Sequence, residues 1–251
     1  MSGRHRIGMV VPVAEDRVPA EGLKMYPDVT FVPRGTGVRS LTPEGFDAAV
    51  DKIVPAAEHL AAQDVEAIML MGTSLTFYRG YDFHQRLLDR ARAATGLPVS
   101  SMSQSIVDGL LSVGARRVAV GTAYATVIND ALADFLAASG LEVLSLESFG
   151  ITEFGGAASR KSDSDIIQLG VDAVAKAPDA EGLLISCGGL RTLECAAPLE
   201  ERCNVPVVTS TQSAFWAAMR LVGESGRLTG YGRMLEQAAP PAHESPAARA
   251  V

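Results

Sequence analysis

Two short segments of this chain carry residues arranged for chemistry, and one of them holds a thiol. Cys187 follows the apolar run Gly182-Leu183-Leu184-Ile185 and then Ser186, and it precedes Gly188 and Gly189. That context places it where a buried strand turns toward a helix, beside backbone N–H groups that two glycines leave unobstructed for an anion. Most free cysteines pack as small apolar side chains, but the strand-end position and the Gly-Gly neighbours favour a working thiol at 187. Cys195 and Cys203, eight residues apart on an expected helix, read as packing.

The second segment is Met71-Gly72-Thr73-Ser74-Leu75. Thr73 and Ser74 offer hydroxyls and N–H groups to an acidic ligand, although a Gly-Thr-Ser turn also serves as an ordinary helix start. Tyr124, in Gly121-Thr122-Ala123-Tyr124, ends an expected strand. It either puts a phenol into the same cleft or lies at the surface. None of the four histidines, at 5, 59, 84 and 243, has zinc-site spacing with a cysteine or a second histidine, so metal binding has no sequence support. The phosphate-binding glycine motifs and the nucleophile-elbow serine motif do not occur. Arg79, Arg116 and Arg117 are too sparse for a nucleic-acid surface.

These residues need a framework to position them. Short apolar or β-branched runs alternate with longer amphipathic segments, the pattern of parallel sheets covered by helices. Strands are expected at 7–11, 29–33, 67–71, 99–101, 117–121, 142–146, 182–186 and 207–209. Helices are expected at 43–62, 84–95, 103–113, 127–139, 163–176, 193–202 and 213–222.

The chain also repeats itself. Leu97-Pro98-Val99-Ser100-Ser101-Met102-Ser103-Gln104-Ser105 matches Val205-Pro206-Val207-Val208-Thr209-Ser210-Thr211-Gln212-Ser213 at an offset of 108. Glu66 to Thr73 matches Glu181 to Gly188 at 115, and Arg6 to Val11 matches Arg117 to Thr122 at 111. Three matches in one order predict two α/β lobes of about 110 residues. Open parallel sheets bind ligands beyond the carboxyl ends of their strands. Facing lobes therefore bring Gly72 and Cys187, which are equivalent in the repeat, to opposite sides of one cleft. The expected division is 1–102 with 208–236 as the first lobe, 103–207 as the second, and 237–251 as a loose Pro/Ala-rich tail.

At 251 residues, 47% hydrophobic and 20% charged, the chain can bury a core. Its 22 Lys+Arg against 29 Asp+Glu leave a net charge of −7, which gives no electrostatic reason to expect nucleic acid or an anionic membrane as partner. No apolar stretch approaches the roughly 18 to 20 residues of a membrane helix. The residues from Met1 to Arg6 are basic, but the apolar run after them is short and interrupted by Pro12, which reads as a strand rather than an export signal. With an odd number of cysteines, three, a reducing, cytoplasmic location is expected.

Taken together, Met71-Gly72-Thr73-Ser74-Leu75 with Phe77-Tyr78-Arg79-Gly80, then Ala123-Tyr124, Ser186-Cys187-Gly188-Gly189-Leu190 and Gly230-Tyr231-Gly232-Arg233 resemble the arylmalonate decarboxylases. These are cofactor-independent members of the aspartate/glutamate racemase superfamily, which also contains maleate cis-trans isomerases. The resemblance runs from Gly8-Met9 to about Glu236 and implies two Rossmann-like parallel-sheet lobes related by a pseudo-two-fold, with the active site in the cleft between them. Racemases and isomerases of the superfamily carry cysteine at both facing positions, whereas this chain has Gly72 at the first. A single thiol delivers a proton to one face of a planar carbanion.

The resemblance further implies a small-molecule dicarboxylate substrate, a disubstituted malonate, and no cofactor. One carboxylate would be held by Thr73, Ser74 and Tyr124 with backbone N–H groups around Gly188 and Gly189, near Pro12. The other would press against an apolar pocket formed by Val38, Leu41, Leu75, Phe154 and Ala157. Cys187 would protonate the carbanion left by CO2. The chain departs from the family at Phe46, where the family has a tyrosine, and at Val13, where it has a second proline. Alternative readings are a maleate isomerase or racemase and a non-catalytic carboxylate binder. No partner protein is implied beyond a monomer or weak homo-oligomer.

Overall fold

The computed structural model describes residues 4–154 and 156–237. Among them, eight strands form two all-parallel four-stranded sheets with the same internal order. In the first, β1 (His5–Val11) lies between β2 (Val29–Gly35) and β3 (Ala67–Leu70), and β4 (Val99–Ser101) lies outside β3. In the second, β5 (Arg117–Tyr124) lies between β6 (Glu142–Ile151) and β7 (Gly182–Ser186), and β8 (Val207–Thr209) lies outside β7. The expected α/β class and the duplicated lobes are what the chain forms. The central strands read as unbroken apolar runs because helices cover both faces, and all four residues of β3 are fully buried.

The matched segments acquire a physical meaning. Ser101 and Thr209 end their strands and cap the helices that follow, α6 (Met102–Ser112) and α10 (Ser210–Leu221), by accepting the N–H of Gln104 at 3.0 Å and of Gln212 at 3.4 Å. The polar part of that repeat is thus capping, and both helices begin earlier than expected. The expected helix 43–62 is two helices, α2 (Pro43–Val50) and α3 (Ile53–Ala61). Pro55 lacks the N–H that would bond Asp51, and its ring would strike that carbonyl, so the helix restarts just before it.

Further helices are α1 (Ala20–Met25), α4 (Thr73–Phe77), α5 (Tyr81–Thr95), α7 (Thr126–Ala138), α8 (Asp163–Ala175), α9 (Ala196–Cys203) and α11 (Arg233–Glu236). The boundary expected at 207/208 falls inside β8, whose Val207, Val208 and Thr209 all pair with β7. From Ser210 onward the chain crosses back. Helix α10 packs on α6 and α1 and against strands of both sheets, so the two capped helices fill the space between the lobes. Of the expected tail, residues 238–251 lie outside the described residues. No described helix is long and apolar enough to cross a membrane.

Candidate active site

The carboxyl ends of β1, β3, β5 and β7 meet at a cavity of about 660 Å³ between the sheets. Pro12, Val38, Leu41, Gly72, Thr73, Ser74, Leu75, Tyr124, Phe154, Cys187, Gly188 and Gly189 all line it. Ala157 does not. The turn that starts at Gly156, whose carbonyl accepts the Arg160 N–H at 3.0 Å, points the neighbouring Ala158 inward instead, and Ala158 lines the wall at 7% exposure. The apolar wall is assembled across the lobes: Leu41 N–H donates to the Thr152 carbonyl at 2.8 Å and Ser40 pairs with Glu153. That brings the loop after β2 beside the segment after β6. Phe46 lines the same wall, buried against Tyr78, and presents no hydroxyl there.

On the first lobe, Gly72 is the N-cap of α4 at φ 95, ψ 89, a backbone state that favours glycine. A Cβ at 72 would meet Pro12 at 3.4 Å and Leu75 at 3.5 Å, ordinary contact distances, so the space admits a side chain while the backbone resists one. Thr73 and Ser74 occupy the first turn of α4, where N–H groups have no acceptor within the helix.

On the second lobe, Cys187 follows β7 directly and is 6% exposed. Its φ of 151 is rare for a residue with a side chain; such strain costs of order 1–3 kcal/mol and concentrates at functional positions. Gly189 N–H donates to the sulfur at 3.4 Å. Burial pushes the thiol up, against the opposing effect of the Gly189 and Leu190 N–H groups and the Tyr124 hydroxyl, so the group rests protonated. Cys195 is fully buried, its thiol pushed up to about 12, mainly by burial, and Cys203 is half-buried.

Tyr124 is completely buried at the end of β5, not at the surface. Burial and the nearby Cys187 hold its phenol well above the usual range, and the Ser186, Thr73 and Ser74 hydroxyls work the other way. A chain of hydroxyls joins the two lobes: Thr73 Oγ1 donates to Ser210 Oγ at 3.0 Å, Ser210 Oγ donates to Ser186 Oγ at 3.4 Å, and Tyr124 OH lies 3.3 Å from Ser186 Oγ. Cys187 N–H donates to the same Ser210 Oγ at 3.3 Å.

Sequence reasoning missed several residues here. Ser210 and Met102 entered it only as members of the repeat, where they are each other's counterparts. Glu21, Arg17 and Arg191 also line the cavity. Glu21 Oε1 accepts the Thr192 and Leu193 N–H groups at 2.7 and 2.8 Å, and burial raises its pKa. The six-residue α1 that carries it has too short an apolar period to be read. Of the histidines, His84 is a neutral core group: its ring bonds Ser101 Oγ at 2.7 Å, and burial lowers its pKa to about 4. Among the described residues no cluster of His, Cys, Asp or Glu could hold a metal ion.

The family model for arylmalonate decarboxylase matches residues 7–235. A curated arylmalonate decarboxylase from Bordetella bronchiseptica is 44% identical over 232 residues, 92% of this chain and 96% of that one. A solved arylmalonate decarboxylase carrying a glycine-to-cysteine and a cysteine-to-serine substitution, in its liganded form, is 43% identical with a TM-score of 0.90, covering 92% of this chain and 99% of that one. The maleate isomerase from Pseudomonas putida S16 shares the fold at 19% identity and a TM-score of 0.87, over 93% of this chain and 99% of that one. Sequence match and superposition both span the two sheets and the cavity between them, and by that measure the chain belongs to the arylmalonate decarboxylase family.

Proposed function

We propose that this protein releases CO2 from 2-aryl or 2-alkenyl malonates without a cofactor and returns a monocarboxylic acid enriched in one enantiomer. Family membership supports decarboxylation of an arylmalonate. The observation that carries the finer reading is the one-sided placement of the acid: the protonated Cys187 faces a cavity whose equivalent opposite position is Gly72.

One substrate carboxylate is held by the Thr73, Ser74 and Tyr124 hydroxyls with the N–H groups at the start of α4. The other lies against Val38, Leu41, Leu75 and Phe154, where an ionised group is poorly solvated. Its C–C bond breaks, CO2 leaves, and the electron pair stays on the α-carbon and spreads into the retained carboxylate as an enediolate. The same donors stabilise that charge, and loss of one such donor typically costs about 10²–10³ in rate. The Cys187 S–H then gives its proton to the α-carbon, and the thiolate takes one back from water.

The test is a CO2-release assay over phenyl-, vinyl- and alkylmalonates with chiral analysis of the product. Release from the aryl substrate with one enantiomer in excess supports the reading. Calorimetric binding without CO2 release, or conversion of maleate to fumarate in its place, overturns it.

A further inference from the structure

The hydroxyl chain between the lobes has a proton count that constrains it. Thr73, Ser210, Ser186 and Tyr124 contribute four hydroxyl protons, and all four side chains are at most 1% exposed. The three links between them consume three protons, which leaves one to donate elsewhere. Holding a carboxylate through both end hydroxyls, Thr73 and Tyr124, requires two. In the resting arrangement Thr73 gives its proton to Ser210, whose oxygen also accepts the Cys187 N–H and donates to Ser186. A serine hydroxyl donates once and accepts twice, so Ser210 is saturated.

One rearrangement frees both ends. Ser210 turns to donate to Thr73, Ser186 donates to Tyr124, and the Ser210–Ser186 link, the longest at 3.4 Å, opens. No atom moves between residues; only the hydroxyl rotors turn. The Cys187 N–H keeps its acceptor throughout.

The repeat supplies a second, independent observation. Thr73 is equivalent to Gly188, and Ser210 is equivalent to Met102. In one half the pair is two bonded hydroxyls. In the other, the Met102 sulfur would lie 3.1 Å from a Cβ at Gly188, so that pair is apolar and close-packed. Of the two equivalent pairs, only the one that includes Thr73 is polar.

We propose that Ser210 is a positioning residue of this site: its hydroxyl sets the direction of the Thr73 proton toward the bound carboxylate and ties that donor to the backbone N–H of the thiol-bearing Cys187. This rests on the carboxylate-holding role given to Thr73 above. Ser213 serves as control, being equally buried on the same helix with its hydroxyl spent on the Ser210 carbonyl at 3.0 Å.

The experiment is a double-mutant cycle of Ser210→Ala and Thr73→Val in the full chain, read in two ways: kcat and KM for phenylmalonate, and calorimetric affinity for phenylacetate. Ser210→Ala should lower kcat by about 10- to 100-fold, less than loss of a donor that touches the substrate, while Ser213→Ala leaves it unchanged. Thr73→Val should then cost far less in the Ser210→Ala background than in the parent, in kcat and in phenylacetate affinity alike. Additive effects, or equal losses in Ser210→Ala and Ser213→Ala, overturn the proposal. If the parent releases no CO2, the decarboxylase reading falls and the affinity cycle alone decides the coupling.

Discussion

The loop after β3 and the loop after β7 hold the same place in two sheets of the same strand order, and they present opposite chemistry to one cavity. After β3 come a glycine without a side chain and two hydroxyl residues in the first turn of α4; after β7 come a buried thiol and two glycines. The helices that follow the outer strands differ in the same sense, Met102 opening α6 and Ser210 opening α10. The duplicated framework therefore supplies two equivalent positions, and the chain fills them with different groups. In the proposed reaction the hydroxyls after β3, together with Tyr124 at the end of β5, hold the anion, and the thiol after β7 returns a proton. Acids on both sides would deliver protons to both faces of a carbanion.

Removing the thiol should break this division most severely. Cys187→Ala is expected to lower kcat on phenylmalonate by about 10²–10⁴, the usual contribution of a positioned proton donor. A variant as fast as the parent would take the proton-donor role from Cys187. Next, Tyr124→Phe removes the donor that the second lobe is proposed to contribute to the anion and should cost about 10²–10³ in kcat, read against a folded control by circular dichroism.

Restoring symmetry is the sharper test. Gly72→Cys should confer slow racemisation of an enantiopure 2-arylpropionate, at a stability cost of about 1–3 kcal/mol from the positive φ, visible as a lowered Tm. A folded variant that leaves the enantiomer untouched would contradict the facing geometry. Phe46→Tyr adds a hydroxyl to the apolar wall, and one neutral hydrogen bond is worth about 0.5–1.5 kcal/mol, so KM should shift by no more than about tenfold.

The smallest expected change is in pH dependence. Burial favours the neutral thiol, so the folded pKa of Cys187 lies above its ordinary value. The donor stays protonated as pH rises past about 8.5, where a free thiol ionises, and activity declines only at the raised value. A kcat that falls with a midpoint near 8.5 would show a solvated thiol in place of a buried one.

Much of this was legible in the residues. Strand existence followed from apolar runs, and Val99–Ser101, Gly182–Ser186 and Val207–Thr209 fall where the pattern puts them. The pairing of Gly72 with Cys187 followed from the repeat. Less legible were features that depend on packing in three dimensions. Strand β6 runs five residues past its expected end because its neighbour β5 continues to Tyr124 and pairs with it through two register shifts. Ala158 rather than Ala157 faces the cavity because a single turn decides the direction, and no sequence period spans one turn. Short helices such as α1 carry too few residues to show a face, so Glu21 passed unseen.

By itself the sequence determined the doubled α/β framework, the strand-end positions of Gly72, Thr73, Tyr124 and Cys187, and the absence of a thiol at position 72. Those are local properties: periodicity, capping hydroxyls and residue identity at matched positions. Only the tertiary structure decided that Thr73, Ser210, Ser186 and Tyr124 form one buried chain of hydroxyls, and that the Cys187 thiol is held neutral. Hydrogen bonds between residues 24 to 137 positions apart, and the loss of water that shifts a pKa, exist only once the chain has folded its strand ends together.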